Sequence, residues 1–420
     1  MNIRKLQTTL VACATACLMA MLFLSCTAFS ADGVAVNDTN FPDANFRAYV
    51  SEKIDDNSDL VLSESEILNV KEIHISNSAV SSLKGIEYFT NLEFISCIEN
   101  ELTSLDLSHN TKLVEVACSV NNISSLKLNA KSTLVSIFCT SNKLTSLDLS
   151  GYSKLREIYS DDNQLLSINV KGCSVLSKLS CSSNNLSELD VSDNTELKYF
   201  YCGYNKLKEL NVSNNKKLLR LRLDFNKLES IDLKNNTELI ELYCSHNLLR
   251  SLDISKNINL EIFSCLWNYF THLDLSKNTK LSDVSINYAT YELAPKTKSF
   301  CLDNIPGFDS SRVTSWSGCT YNEDTNTITN FKTNRVEYSY DCGNGKSYPF
   351  TFLIPTYLNG DVNSDGKVDL RDVVLLYQKV SNQNVYIDEF ASNVNNDTAI
   401  NIRDVVLLFQ YVSRWDVVLQ

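Results

Sequence analysis

Residues 92–112 read LEFISCIENELTSLDLSHNTK, and the next 21 residues, LVEVACSVNNISSLKLNAKST, repeat the pattern without a gap. Leucine recurs at 92, 113, 134, 155, 176, 197, 218, 239, 260 and 281, always 21 residues apart. A fixed period near twenty is the signature of a solenoid, whose units cannot fold alone but bury a continuous core when stacked. Each unit follows Lxx(L/I/V/F)x(C/L/S)xxNxLxx(L/I)x(L/V/I) closely. Its six apolar positions, each worth ~1.5–3 kcal/mol when fully buried, dominate the expected stability.

The unit contains itself, because an LxxLxCxxN half is followed ten residues on by an LxxLDLSxN half. Over about Val70 to Tyr288 this resembles the nested-period bacterial leucine-rich repeats. Both arcs alternate apolar and polar residues and neither has helical patterning, so a short strand is expected on each. Asn100, Asn121, Asn142, Asn163, Asn184, Asn205, Asn226, Asn247 and Asn268 form an unbroken column. Buried amides there would satisfy turn backbone groups that lack a strand partner, a structural role.

The chain has 14 cysteines. Seven of them (Cys97, Cys118, Cys139, Cys181, Cys202, Cys244 and Cys265) share one column and read as small buried apolar residues. A disulfide framework is therefore not expected, with one bridge among Cys301, Cys319 and Cys342 left open. The N-terminus reads as a secretory signal over residues 1–30: Arg4 and Lys5, an apolar run to Leu24, then Ala28-Phe29-Ser30. Leu24 stands two places before Cys26, where a lipidation site prefers a small residue. A net charge of −12 argues against nucleic acid and against anionic membranes as partners.

Near the C-terminus one loop pattern occurs twice, 32 residues apart. Asp361, Asn363, Asp365, Lys367, Asp369 and Asp372 occupy loop positions 1, 3, 5, 7, 9 and 12 of the first copy. Asn393, Asn395, Asp397, Ala399, Asn401 and Asp404 occupy them in the second. Oxygen-bearing side chains at these positions, with a backbone carbonyl at position 7, suit Ca²⁺. Each loop runs into one helix, VVLLYQ or VVLLFQ, and position 12 is Asp. The segment 357–420 thus resembles the type I dockerin, an all-α module. That resemblance implies two calcium ions and attachment to a cohesin domain of a cellulosomal scaffoldin. It also implies cohesin contacts at Leu370, Arg371, Tyr377 and Gln378, and at Ile402, Arg403, Phe409 and Gln410, usable in two orientations. An anoxic habitat, implied as well, agrees with so many reduced thiols. Asn393 in place of Asp and Thr398 in place of Gly should weaken the second loop. Trp415 is placed to stack on Pro355 or Tyr357.

Caps complete the plan. Residues 31–69 read as a helical N-terminal cap, and Asp55, Asn57, Asp59, Ser63 and Glu66 repeat the calcium spacing there. Leu60 sits where Gly is usual and would need a left-handed backbone at a cost of ~1–2 kcal/mol. The solenoid spans 70–288. Residues 289–356 alternate like strands over Thr325–Phe331, Arg335–Tyr340 and Tyr348–Ile354, giving a small β module that caps the last coil.

On the first arc, outward residues of successive coils touch, because neighbouring strands lie ~4.8 Å apart. Tyr201, Tyr204, Arg222, Phe225, Tyr243, His246 and Trp267 should form one exposed patch. Aromatic and Arg enrichment marks interface hot spots, while the plainer reading is cross-strand stabilisation of a β face. The patch would take a protein or a plant-wall glycan. The expected function is a non-catalytic, secreted, cellulosome-associated binding protein. The rivals are a polysaccharide hydrolase or lyase and a protease inhibitor-like protector. Asp161, Asp162, Asp224 and Glu241 read as solvated surface acids. His74, His109, His246 and His272 show no nucleophile-base spacing.

Overall fold

The computed structural model describes residues 33–286, 290–293, 299–354, 359–363, 365, 367–395, 397, 399–414 and 419. The expected signal segment and Trp415 lie outside these residues. The chain divides into two units, one ending at Leu165 and one beginning at Leu166.

The first unit opens with the helices Ala44–Lys53 and Glu64–Asn69, as the cap reading expects. Asp43 caps the first by accepting the Asn45 and Phe46 amides, and Ser63 with Glu66 forms a capping box on the second. Phe41, Phe46 and Phe89 pack together beneath them and are fully buried. Five first-arc strands follow: Glu72–His74, Phe94–Ser96, Glu115–Ala117, Ser136–Phe138 and Glu157–Tyr159. They pair in parallel and in register, as stacked coils require. On the second arc Ser104–Leu107 pairs with Ser125–Leu128.

In the second unit the first-arc ladder runs through Lys178–Ser180, Tyr199–Tyr201, Arg220–Arg222, Glu241–Tyr243, Ile262–Ser264 and Asp283–Ser285. Its second arc departs from expectation. After the strand Ser167–Asn169, the corresponding segments from Glu188 to Leu275 form no strand, although their apolar residues stay buried. The outward residues differ between the two units. Where the ladder exists, Lys127 reaches Asp106 across the strands at 2.9 Å. In the second unit Glu188 stands beside Glu209 where the first has Ser104 beside Ser125, and Asp232 beside Asp253 where the first has Asp106 beside Lys127, and like charges directly opposite destabilise a pair. The segments instead border an open groove of about 950 Å³ lined by Glu188, Asp190, Glu209 and Asp232.

The asparagine column is buried and structural, as expected. Asn226 donates to the Cys202 and Leu223 carbonyls at 2.9 and 3.0 Å and accepts the Leu207 amide at 3.0 Å. A second amide column escaped the sequence reading: Asn110, Asn194, Asn215, Asn236, Asn257 and Asn278 each donate to two carbonyls of the coil before. Their amide oxygens are buried without a partner among the described residues. The cysteine column is buried, and burial pushes the Cys118 thiol up to about 12. Every described cysteine is a free thiol, Cys301, Cys319 and Cys342 included, so the bridge left open above is not formed.

After the last coil, Val313–Ser317, Arg335–Asp341, Ser347–Leu353 and Thr290–Glu292 make one small sheet, and Ser299–Cys301, Thr320–Asn322 and Thr327–Thr329 another. The module closes the solenoid end: the Leu275 amide bonds the Cys342 carbonyl at 2.7 Å, and the Tyr338 hydroxyl bonds the Thr271 carbonyl at 2.6 Å.

Asn226→Ala removes both donors and the acceptor that satisfy three turn groups, at about 1–3 kcal/mol for each group left buried and unpaired. The variant should melt at least several degrees below the parent in scanning calorimetry. An unchanged melting temperature would mean that water replaces the amide.

Candidate functional site

Two sets of side chains come together, one on the first arc of the second unit and one in the C-terminal helical segment.

The first set depends on a backbone feature of the coil. The residue before each column asparagine is left-handed: Tyr204, Phe225, His246 and Trp267 have φ of 52°, 55°, 53° and 54°. Residues in register project the same way, so the four rings form a file. Tyr204 and Phe225 stack with centroids 4.3 Å apart, Phe225 and His246 at 3.9 Å, and His246 and Trp267 at 5.6 Å. The planes lie within 13–18° of parallel. Beside this file the Arg222 guanidinium lies 4.5 Å from the Tyr243 ring centre and 5.6 Å from that of Tyr201. All seven residues expected in the patch are therefore in one place. A bulky residue in the left-handed region costs ~1–2 kcal/mol, while Asn or Gly adopts it more readily. The other coils carry the same strain, with Glu99, Val120, Ser141, Asp162 and Ser183 at this position.

Of the four acids expected as solvated carboxylates, Asp162 is exposed, whereas Glu241 and Asp224 are engaged by the fold. Glu241 is buried against Arg220, 3.0 Å away. Burial raises the Asp224 carboxyl above its usual range even though it accepts the Ser245 amide at 2.9 Å. His272 packs against Tyr340 of the β module, and burial with the nearby Arg312 cation holds its pKa below the usual value.

The second set is built on the helices Leu370–Val380 and Ile402–Val412. Asp369 with Asp372, and Asn401 with Asp404, form capping boxes, so loop positions 9 and 12 also start each helix. Val362, Val373, Leu376, Ile387, Val394, Val405 and Leu408 make the core between them. The opposite faces are exposed: Leu370, Val374 and Tyr377 on one helix, and Ile402, Val406 and Phe409 on the other. Gln378 and Gln410 flank them, half-buried, and Arg371 and Arg403 are exposed. Val374 and Val406 complete each stripe and were missed from sequence, although the four-residue helical spacing from Leu370 and Ile402 points to them. Asn363, Leu370, Arg371, Val374, Leu375 and Gln378 border a shallow hollow of about 470 Å³.

The loops pre-arrange their oxygens. The Asp365 amide bonds Asp361 and Asn363, the Lys367 amide bonds Asp365, and Asp372 accepts the Asn363 and Asp369 amides. Arg371 bridges Asp365 and Asp369 at 2.9 and 2.7 Å, and its hydrogen bond holds the Asp369 carboxyl at about 2. In the second loop Asn395, Asp397 and Asp404 repeat the arrangement. Among the described residues no three His, Cys, Asp or Glu side chains converge as a preformed metal cluster. The donor set, mixing carboxylate, amide and backbone oxygens, nonetheless suits a hard cation. Asn393 Oδ1, buried and without a partner among the described residues, fits the same need.

The N-terminal loop has the same bonding. The Asp59 amide bonds Asp55 and Asn57, the Val61 amide bonds Asp59, and Glu66 accepts the Asp56 and Ser63 amides. Leu60 does adopt the left-handed backbone, with φ of 63°. The Leu60 amide also bonds Asp55, at 2.9 Å.

Comparisons agree with this division. Residues 359–413 match the family described as Dockerin type I domain. Internalin J of Listeria monocytogenes serotype 4b (strain F2365) is 35% identical over 71 residues, which is 17% of this chain and only 8% of that protein's length. A leucine-rich repeat protein of Leptospira interrogans superposes with a TM-score of 0.50 at 22% identity, covering 55% of this chain and 64% of that one. A functional domain of Internalin J from Listeria monocytogenes, described as including a cysteine ladder, covers 77% of this chain and 98% of its own at a TM-score of 0.33 and 23% identity. The chain carries a leucine-rich repeat solenoid followed by a type I dockerin.

Chelation should unfold the C-terminal helices, because loop carboxylates deprived of metal repel one another. Trypsin is then expected to cut after Arg371 and Arg403 in EDTA but not in calcium, read by mass spectrometry of the full chain. Asn393→Asp should tighten calcium binding at the second loop on the order of tenfold by adding one charge, measured by isothermal titration.

Proposed function

We propose that this chain is a secreted, non-catalytic binding subunit of a cellulosome, held to a cohesin by its dockerin and grasping a second protein with its solenoid. The observation carrying the first half is the duplicated, capped loop-helix unit with matching exposed stripes. Leu370, Val374 and Tyr377 on one side, and Ile402, Val406 and Phe409 on the other, leave water only if a partner covers them. Calcium at positions 361–372 and 393–404 would order both loops and fix Arg371 and Arg403 beside those stripes. A third ion at Asp55, Asn57, Asp59, Ser63 and Glu66 would steady the N-terminal cap.

The second half rests on the ring file. Four aromatic side chains stand together in one file on the first arc, an enrichment that supports binding. A hydrolase needs two carboxylates ~5–9.5 Å apart, one with a raised pKa. Asp224 has a raised pKa, but the neighbouring Glu241 is paired with Arg220. That pairing weighs against an enzyme.

A cohesin panel immobilised in calcium should capture the full chain, and EDTA should release it. Tyr377→Ala or Phe409→Ala alone should leave capture intact by using the other stripe, while the double variant should lose it. Capture of the double variant, or capture in EDTA, would sink the docking role. Equilibrium dialysis should count three calcium ions per chain and two in Asp59→Ala.

For the solenoid, Tyr204→Asn, Phe225→Asn and Trp267→Asn together keep a residue suited to the left-handed backbone. This variant should fold and melt within a few degrees of the parent yet lose its secreted-protein partner. Undiminished capture by it would refute the ring file as the ligand face.

A further inference from the structure

The arrangement of the rings narrows what the solenoid face can hold. Resting on the reading of that face as a ligand site, we infer that its partner is an acidic polypeptide surface, not a glycan.

The first argument concerns ring faces. A sugar binds an aromatic side chain by laying its C–H groups on the flat face of the ring. Here Phe225 and His246 are sandwiched, and Tyr204 and Trp267 each give a face to a neighbour. Tyr201 and Tyr243 lie under the Arg222 guanidinium, and Arg220 lies 5.9 Å from the Tyr199 ring centre. The middle of the file, Phe225 and His246, turns ring edges to solvent. Ring edges carry the positive end of the aromatic quadrupole, so they favour carboxylates, backbone carbonyls and the faces of a partner's own rings.

The second argument is charge. The whole chain carries −12, yet the ring file stands among cations. Lys206 and Lys227 lie two residues beyond Tyr204 and Phe225 and are exposed. Neither they nor Arg222 has a salt bridge among the described residues. Of the acids on this face, Glu241 pairs with Arg220 and Asp224 accepts the Ser245 amide. A basic, edge-on aromatic strip on an acidic molecule selects partners by complementary charge, which sets specificity and association rate. Alternating carboxylates and aromatic side chains on an extended polypeptide match both features. A neutral wall polysaccharide matches neither, and an anionic one matches only the charge.

Fluorescence anisotropy with the full chain in calcium tests this, using a labelled random copolymer of glutamate and tyrosine, polygalacturonate and neutral xylan. The copolymer should bind at least tenfold more tightly than either polysaccharide. Lys206→Glu/Lys227→Glu should weaken it tenfold or more, and Lys154→Glu, in the other unit, should leave it unaltered. Polygalacturonate binding as tightly as the copolymer, or indifference to the charge reversals, would overturn the inference. The two readings fail differently. If the three Asn substitutions abolish capture of the secreted partner while the copolymer does not bind, only the acidic chemistry is wrong. If those substitutions alter no binding at all, the face itself is wrong.

Discussion

Every coil in this protein turns on one buried side-chain amide. The column asparagine bonds backbone groups of its own coil and of the preceding one, as Asn226 does with Leu223, Cys202 and Leu207. Without it, turn carbonyls and amides would be buried with no partner, because the chain there leaves the strand ladder. The bond requires the residue before it to be left-handed, and that residue points outward. One interaction thus fixes the period, stacks the coils in register and aligns a file of exposed side chains. Where the file is Ser141, Asp162 and Ser183 it is polar surface. Where it is Tyr204, Phe225, His246 and Trp267 it becomes a continuous aromatic strip.

The first amide column was legible because nine asparagines recur without a break, and a ladder needs no other signal. The second was not, since Lys131, Tyr152 and Cys173 interrupt it. The expectation of strands on both arcs came from apolar alternation, which reports burial and says nothing of pairing. Pairing on the second arc depends on the outward residues. Lys127 opposite Asp106 supports it, and Asp253 opposite Asp232 opposes it. The burial of Asp224 and Glu241 was equally hidden, because it comes from Arg220 and the Ser245 amide on adjacent coils.

The C-terminal segment shows a different economy. Its loops place carboxylates where a cation would need them, and the same carboxylates cap helices: Asp372 and Asp404 are wholly buried and accept amides at both ends of their loops. Metal binding and helix initiation therefore share atoms. Ordering the loop and presenting the stripe become one event, which gives calcium control over docking without a separate switch. The loop spacing was legible in sequence. Val374 and Val406 belong to the stripes only because each helix starts at the cap that Asp369 or Asn401 sets.

The two arcs of the second unit differ in their outward residues. Acids gather along the second arc around Glu188, Asp190, Glu209 and Asp232, while Lys206, Arg222 and Lys227 gather by the rings on the first. The second arc forms no strand beyond Ser167–Asn169 among the described residues, so the first arc carries the hydrogen-bonded register in this unit. The ring file needs that register to within a few tenths of an ångström to keep its stacking distances. The aromatic strip therefore rests on the side that is continuously paired.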